Sequence, residues 1–171
     1  MVQLTSSWDQ WIAEIKLSSI NPETWLSFRR NVRFGDTDAA GVMHFYQLFR
    51  WCHESWEESL ELYGIHPNCV FPSIQNPDKA LPIHLPIIHC EADFFLPLHT
   101  GDHIDIDLSP RRLDASSFQV QAKFKLKGKD VAVALIRHCA IKTQTRKRCP
   151  LPEGIDRWIE SSSLSSGVTT L

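Results

Sequence analysis

Residues 34–64 read FGDTDAAGVMHFYQLFRWCHESWEESLELYG, and the change of rhythm inside this stretch sets the architecture. Its first eight residues, from Phe34 to Gly41, are mostly small or turn-forming. Beyond them Phe45, Leu48, Phe49, Cys52, Trp56, Leu60 and Tyr63 recur at steps of three and four, which stacks their side chains on one face of a helix of about five turns. Arg50, Glu54, Glu57, Glu58 and Glu61 fall mainly on the other side, and Gly64 is suited to stop the helix. One face of this helix is built to lie on a sheet.

Working outward, residues 25–34 alternate imperfectly, as a partly exposed first strand would. Before them Trp8, Trp11, Ile12 and Ile15 predict a short amphipathic helix over 6–17, with Ser6 or Ser7 available to cap it and Asn21-Pro22 breaking the pattern. Downstream, Pro67, Pro72, Pro77, Asn68 and Asn76 mark 65–79 as an irregular loop able to cover a site. Four strands are expected over 85–95, 102–108, 117–126 and 131–143. The clearest alternation sets Phe118, Val120, Ala122, Phe124 and Leu126 against Gln119, Gln121, Lys123 and Lys125. Residues 127–130 form a tight hairpin turn, and 97–101 and 109–116 read as connections short enough for antiparallel neighbours, hence a meander. A brief helix is expected over 152–160, then a serine-rich disordered tail over 161–171.

The organisation is thus a helical extension (1–24), one domain (25–160) and a tail, without internal repeats. The order of strand, long helix, loop and four strands is that of an α+β domain whose antiparallel sheet wraps one central helix.

Composition agrees with an ordinary globular protein: 171 residues, 43% hydrophobic and 22% charged. A net charge of -2 and a pI near 6.4 argue against nucleic acid as a partner. The basic run of Lys142, Arg146, Lys147 and Arg148 is either a solvated strand end or a phosphate contact. Five cysteines at irregular spacing, with no C-x-x-C pair and no signal peptide, are expected to be reduced thiols of a cytoplasmic protein. Apolar runs such as 131–136 fall short of the roughly 20 residues of a membrane-spanning helix. There is no G-x-S-x-G, G-x-G-x-x-G or P-loop, and the eight histidines lack zinc-ligand spacing, so neither metal nor separate cofactor is expected.

Chemistry concentrates where the stretch changes rhythm. A helix N-terminus offers unpaired N–H groups and a positive dipole end, so the backbone near His44 and Phe45 suits a developing oxyanion, and small residues upstream let a ligand approach. A carboxylate just before it, Asp36 or Asp38, can act as nucleophile or general base. Spacing alone makes either aspartate as good a turn-former or helix cap as a catalyst.

The run from Phe34 to Phe45 resembles the signature of the 4-hydroxybenzoyl-CoA thioesterase group of hotdog enzymes, in which the second aspartate is catalytic; that position is Asp38. Two further stretches extend the likeness, Cys52-His53-Glu54-Ser55-Trp56-Glu57 and 85–95 followed by His99-Thr100-Gly101-Asp102. Within the group they are most similar to the cyanobacterial 1,4-dihydroxy-2-naphthoyl-CoA hydrolase type, which belongs to phylloquinone synthesis. The resemblance covers about 26–152. It implies the hotdog fold, thioester hydrolysis of an aromatic acyl-CoA, a pocket drawn from Gly41, Val42, His53 and His89, and a homodimer or homotetramer. The helix over 6–17 is extra to the usual chain, and His44 stands where relatives often carry tyrosine or tryptophan. Arg111, Arg112, Lys142, Arg146 and Lys147 are candidates for the CoA phosphates. Glu54, Glu57 and Glu58 are alternatives only if Asp38 is dispensable, since a second branch takes its carboxylate from the helix. Other readings are a 4-hydroxybenzoyl-CoA-type or general acyl-CoA thioesterase, a hydratase pairing Asp38 with His44, and a non-catalytic acyl-CoA-binding module.

Overall fold

A computed structural model describes residues 21–72 and 81–163. The helix expected over 6–17, part of the loop over 65–79 and the tail beyond 163 lie outside them.

Helix α1 (Glu23–Leu26) leads into strand β1 (Ser27–Asn31), and the long helix α2 (Tyr46–Tyr63) follows the loop. Then come β2 (Ile83–His84), β3 (Ile87–Phe94), β4 (His103–Asp114), β5 (Ser117–Leu126), β6 (Lys129–Cys139), β7 (Ile141–Lys142) and helix α3 (Glu153–Ser163). Five strands form one antiparallel sheet in the order β1-β4-β5-β6-β3, and β2 pairs with β7 separately. This is the α+β arrangement expected, a sheet around a central helix.

The helix periodicity is realised. Leu48, Trp51, Cys52, Ser55, Trp56, Ser59 and Leu60 are buried, and Gly64 closes the helix in the left-handed conformation at φ 103°. The facing surface of the sheet is made by Ile104, Ile106, Phe118, Val120, Ala122, Phe124, Ala132, Ala134 and Ile136, all essentially without solvent contact. Three alanines among them let α2 lie close to β5 and β6. Burial of the Cys52 thiol among these apolar groups pushes its pKa up to about 12, which makes it an inert core residue.

Several boundaries differ from expectation. Residues 25–34 are not one strand: the Asn21 side chain accepts the Glu23 N–H at 3.1 Å and starts a helical turn that buries Trp25 and Leu26. The stretch 109–116 is not a connection either. β4 continues through Pro110 to Asp114, paired with β5, because β1 stops at the Ser27–Asp107 pair and leaves β4 an edge strand where proline is tolerated. The expected strand over 131–143 breaks at Ala140, whose N–H bonds Ser116 and whose carbonyl accepts from Cys149, so β7 joins β2 instead.

The strands do not form a simple meander, since β3 lies beside β6 and not beside β4. Eight residues separate β3 from β4, and at about 3.3 Å each they readily cross the roughly 15 Å spanned by three interstrand spacings. The final helix runs to Ser163, three residues past 160, because its serines are used in packing. Trp25 donates to Ser162 and the Tyr63 and Ser161 hydroxyls bond at 2.9 Å, while Trp158, fully buried, donates to Ser59 of α2 at 3.0 Å. Helices α1 and α3 thus close one side of the core together.

Candidate active site

The loop between β1 and α2 is tied on both flanks. The Asp36 carboxylate accepts the Arg33 N–H at 2.7 Å, its carbonyl accepts the His44 N–H at 2.8 Å, and Met43 donates to the Leu98 carbonyl at 2.7 Å. Between these ties the chain makes a tight turn in which Gly41, at φ 76°, adopts a conformation that a Cβ would strain. Asp38 sits at its start: its N–H bonds the Val42 carbonyl at 2.9 Å and its Oδ1 accepts the Ala40 N–H at 2.8 Å.

Asp36 and Asp38, interchangeable by spacing, therefore differ in structure. Asp36 is stitched into the loop through carboxylate and carbonyl alike. Asp38 does not cap α2 and is exposed, and its Oδ2 has no partner among the described residues. It carries the turn-forming role through its N–H and Oδ1 and leaves Oδ2 unengaged among the described residues.

Helix α2 has Phe45 at its N-cap position, with no side chain capping its first N–H groups. A helix start normally has its first N–H groups accepted by Ser, Thr, Asp or Asn, so an uncapped one beside a free carboxylate oxygen offers donors to a ligand. His44, expected as a backbone donor, is corrected here, because its N–H is already held by Asp36; Phe45 N–H has no acceptor among the described residues. The His44 ring lies against Phe45 and Tyr46 at 4.8 and 4.5 Å, with a buried Nδ1 that finds no partner there.

Next to the loop is an apolar cavity of about 330 Å³ lined by Val42, Met43, Phe94, Phe95, Leu96, Pro97, Leu98 and Ala132. Of the expected pocket residues, Val42 forms its wall and Gly41 shapes the turn beside it. The aromatic wall was missed by sequence reasoning, although Phe94-Phe95-Leu96-Pro97, an unbroken apolar run where alternation stops, is its signal.

His53 and His89 are elsewhere. His89 is exposed on β3, 3.2 Å from Glu91. His53 lies 2.8 Å from Glu57 and lines a second cavity, of about 270 Å³, with Trp56, Val70, Phe71, Pro72, His84, Leu85, Pro86, Ile141 and Arg146. Neither lines the cavity beside Asp38. The helix glutamates are engaged: Glu54 with Arg50, Glu57 with His53 and Glu58 with Arg30 of β1.

Among the cations, Arg112 is taken up by α3, 2.6 Å from Asp156 and 3.4 Å from Glu160. Arg111, Lys142, Arg146 and Lys147 are exposed and pair with no carboxylate among the described residues. His138, not singled out from the sequence, is buried between Trp56 and Phe118; it bonds the Leu85 carbonyl through Nδ1, and desolvation lowers its pKa to about 4.

A family model described as the thioesterase-like superfamily matches residues 32–159. A 1,4-dihydroxy-2-naphthoyl-CoA hydrolase of Prochlorococcus marinus (strain MIT 9313) is 60% identical over 145 residues, 85% of this chain and 96% of the relative. A crystal structure from the same strain has a TM-score of 0.81 at 61% identity, covering 84% of this chain and 99% of its own. The crystal structure of a 1,4-dihydroxy-2-naphthoyl-CoA thioesterase from Synechocystis has a TM-score of 0.69 at 30% identity, covering 78% and 94%.

Proposed function

Since the chain belongs to the thioesterase-like superfamily, we propose that it hydrolyses an aromatic acyl-CoA thioester, 1,4-dihydroxy-2-naphthoyl-CoA above others, and that Asp38 is its catalytic carboxylate. The observation that carries this reading is a carboxylate oxygen without a protein partner, beside an uncapped helix N-terminus and an apolar cavity with two phenylalanine walls. The relatives named for this substrate support the choice of acyl group, and with it a place in phylloquinone synthesis.

The acyl ring enters between Val42 and residues 94–98, which puts the thioester carbonyl toward the start of α2. As the carbonyl carbon becomes tetrahedral, its oxygen gains charge that the Phe45 N–H and the helix dipole stabilise. Asp38 either attacks that carbon, giving a mixed anhydride that water then cleaves, or removes a proton from the attacking water. In the first route CoA leaves as the thiolate and takes its proton from water; in the second Asp38 returns to the sulfur the proton it took from the attacking water, and neither route calls for a separate cofactor. Arg111, Lys142 and Lys147 are the side chains we assign to the CoA phosphates, as charge-assisted donors.

We also read the β3 side as a self-association surface. β3 is an edge strand whose Ile87, Ile88 and Phe94 are exposed, and Phe95 and Phe45, at 55% and 61% exposure, continue the apolar area toward Asp38. A second copy there would cover the cavity mouth and exclude water from it.

The test is Asp38→Asn. It keeps the shape of the side chain and an oxygen for the Ala40 N–H, and should lower thioester turnover by a factor of about 10² to 10⁴ while the acyl-CoA still binds. Near wild-type turnover would refute the assignment. Oxygen-18 incorporated into Asp38 in a single turnover distinguishes attack from base catalysis.

A further inference from the structure

His44 stands between the two halves of the site beside Asp38. Val42 and Met43, before it in the chain, line the cavity, and Phe45, after it, carries the N–H that meets no acceptor among the described residues. The His44 backbone has no donor to offer a substrate, because its own N–H is taken by the Asp36 carbonyl at 2.8 Å. What it brings to the site is its ring.

That ring is held in place. It lies 4.5 Å from the Tyr46 ring and 4.8 Å from the Phe45 ring, tilted against both, and the bond to Asp36 fixes the backbone that carries it. Its Nδ1 is buried and has no hydrogen-bond partner among the described residues. Nε2 is not closed off in the same way, and it too has no partner among the described residues.

A neutral imidazole carries one proton on either nitrogen. With no acceptor beside Nδ1, a proton there would be a buried N–H without a bond, so the neutral ring keeps it on Nε2, where a ligand can accept it. His44 therefore presents one donor, Nε2–H, at the start of α2.

The acyl group proposed above has a hydroxyl on C1, next to the C2 that bears the thioester. That hydroxyl lies between the aromatic ring, which the cavity takes, and the carbonyl oxygen, which faces the Phe45 N–H. Within the substrate it donates to the carbonyl oxygen, so its own oxygen is left to accept a bond from the protein. A donor at this place completes a chain from ring N–H to hydroxyl to carbonyl oxygen. Each bond polarises the next, and the gain grows as the carbonyl oxygen takes up charge.

We propose that His44 is a specificity-determining residue, whose Nε2–H donates to the hydroxyl ortho to the thioester and so favours ortho-hydroxyaryl thioesters over aryl thioesters that lack it. The inference rests on the function proposed above and deepens it. His44 gives up no proton, and Asp38 keeps its role.

Thiol release from 1-hydroxy-2-naphthoyl-CoA and from 2-naphthoyl-CoA, each with the wild type, His44→Phe and His44→Gln, tests it. Phenylalanine keeps a ring against Phe45 and Tyr46 without a donor, and glutamine places an amide N–H near the Nε2 position. The two esters differ in intrinsic reactivity, but that difference is common to all three proteins and cancels when their ratios are compared. The ratio of kcat/KM, hydroxylated over plain ester, should fall about tenfold in His44→Phe, with 2-naphthoyl-CoA cleaved within about twofold of wild type, and His44→Gln should recover part of the ratio. An equal loss for both esters would make His44 a packing residue and overturns the inference, as does a ratio that His44→Phe leaves unchanged; the proposed reaction survives either result. A wild type that cleaves neither ester overturns the proposed reaction, and this inference with it.

Discussion

At the scale of single residues, the buried His138 gives the molecule a defined acid sensitivity. Desolvation is the main cause of its lowered pKa, the bond to Leu85 opposes it, and the nearby His53 adds to it. The unfolded chain binds this proton below about pH 6.5, while the folded chain resists it to about pH 4. Stability from the neutral ring is therefore complete above pH 6.5 and declines as pH falls toward 4, by on the order of 3 kcal/mol for this group. Urea denaturation at pH 7 and pH 5 should show the loss, and His138→Phe should flatten the slope between them; an unchanged slope would contradict it. From the sequence His138 was one more apolar-strand histidine, because burial between Trp56 and Phe118 depends on partners 82 and 20 positions away. Asp38 was legible to a greater degree, since an aspartate among small residues before a strongly periodic helix has few roles. Its preference over Asp36 came only with the family likeness, not from spacing, because the physical difference between them rests on which carboxylate the Arg33 N–H reaches.

At the scale of elements, α3 is a structural strap. Ile155, Trp158, Ile159 and Ser162 face inward, and Trp158 fills space between Phe118 and Ser59. Trp158→Ala should cost about 3–5 kcal/mol, from the cavity left and the lost partner of Ser59, read as a fall in the urea midpoint at unchanged m-value. A loss under 1 kcal/mol would mean that α3 does not close the core. The long helix was legible because its period of three and four persists through 18 residues. The second half of β4 was not: Pro110, Arg111 and Arg112 look like a loop, and only the end of β1 makes an edge strand of them. The serines at 161–163 look like tail for the same reason, since each serves a tryptophan, a tyrosine or a backbone carbonyl that composition does not reveal.

At the scale of the whole molecule, the sheet order was the least legible feature. Alternation identifies strands but not neighbours, and the pairing of β3 with β6 joins residues 38 to 51 positions apart. That pairing places residues 94–98 beside the Asp38 loop and leaves β3 as an edge with exposed apolar side chains, so the cavity and the self-association surface proposed above have one cause. Light scattering on the eluting protein should give a dimer or tetramer of the 19.6 kDa chain, and Phe95→Glu should shift it toward monomer. A wild-type monomer would contradict the reading of that edge. Hydrolysis of an aromatic acyl-CoA is tested most directly by thiol release from a panel of acyl-CoA esters. The highest kcat/KM is expected for 1,4-dihydroxy-2-naphthoyl-CoA, lower values for 4-hydroxybenzoyl and benzoyl esters, and the lowest for medium-chain aliphatic esters; a preference for the aliphatic esters, or no thiol release from any, would contradict the proposed function.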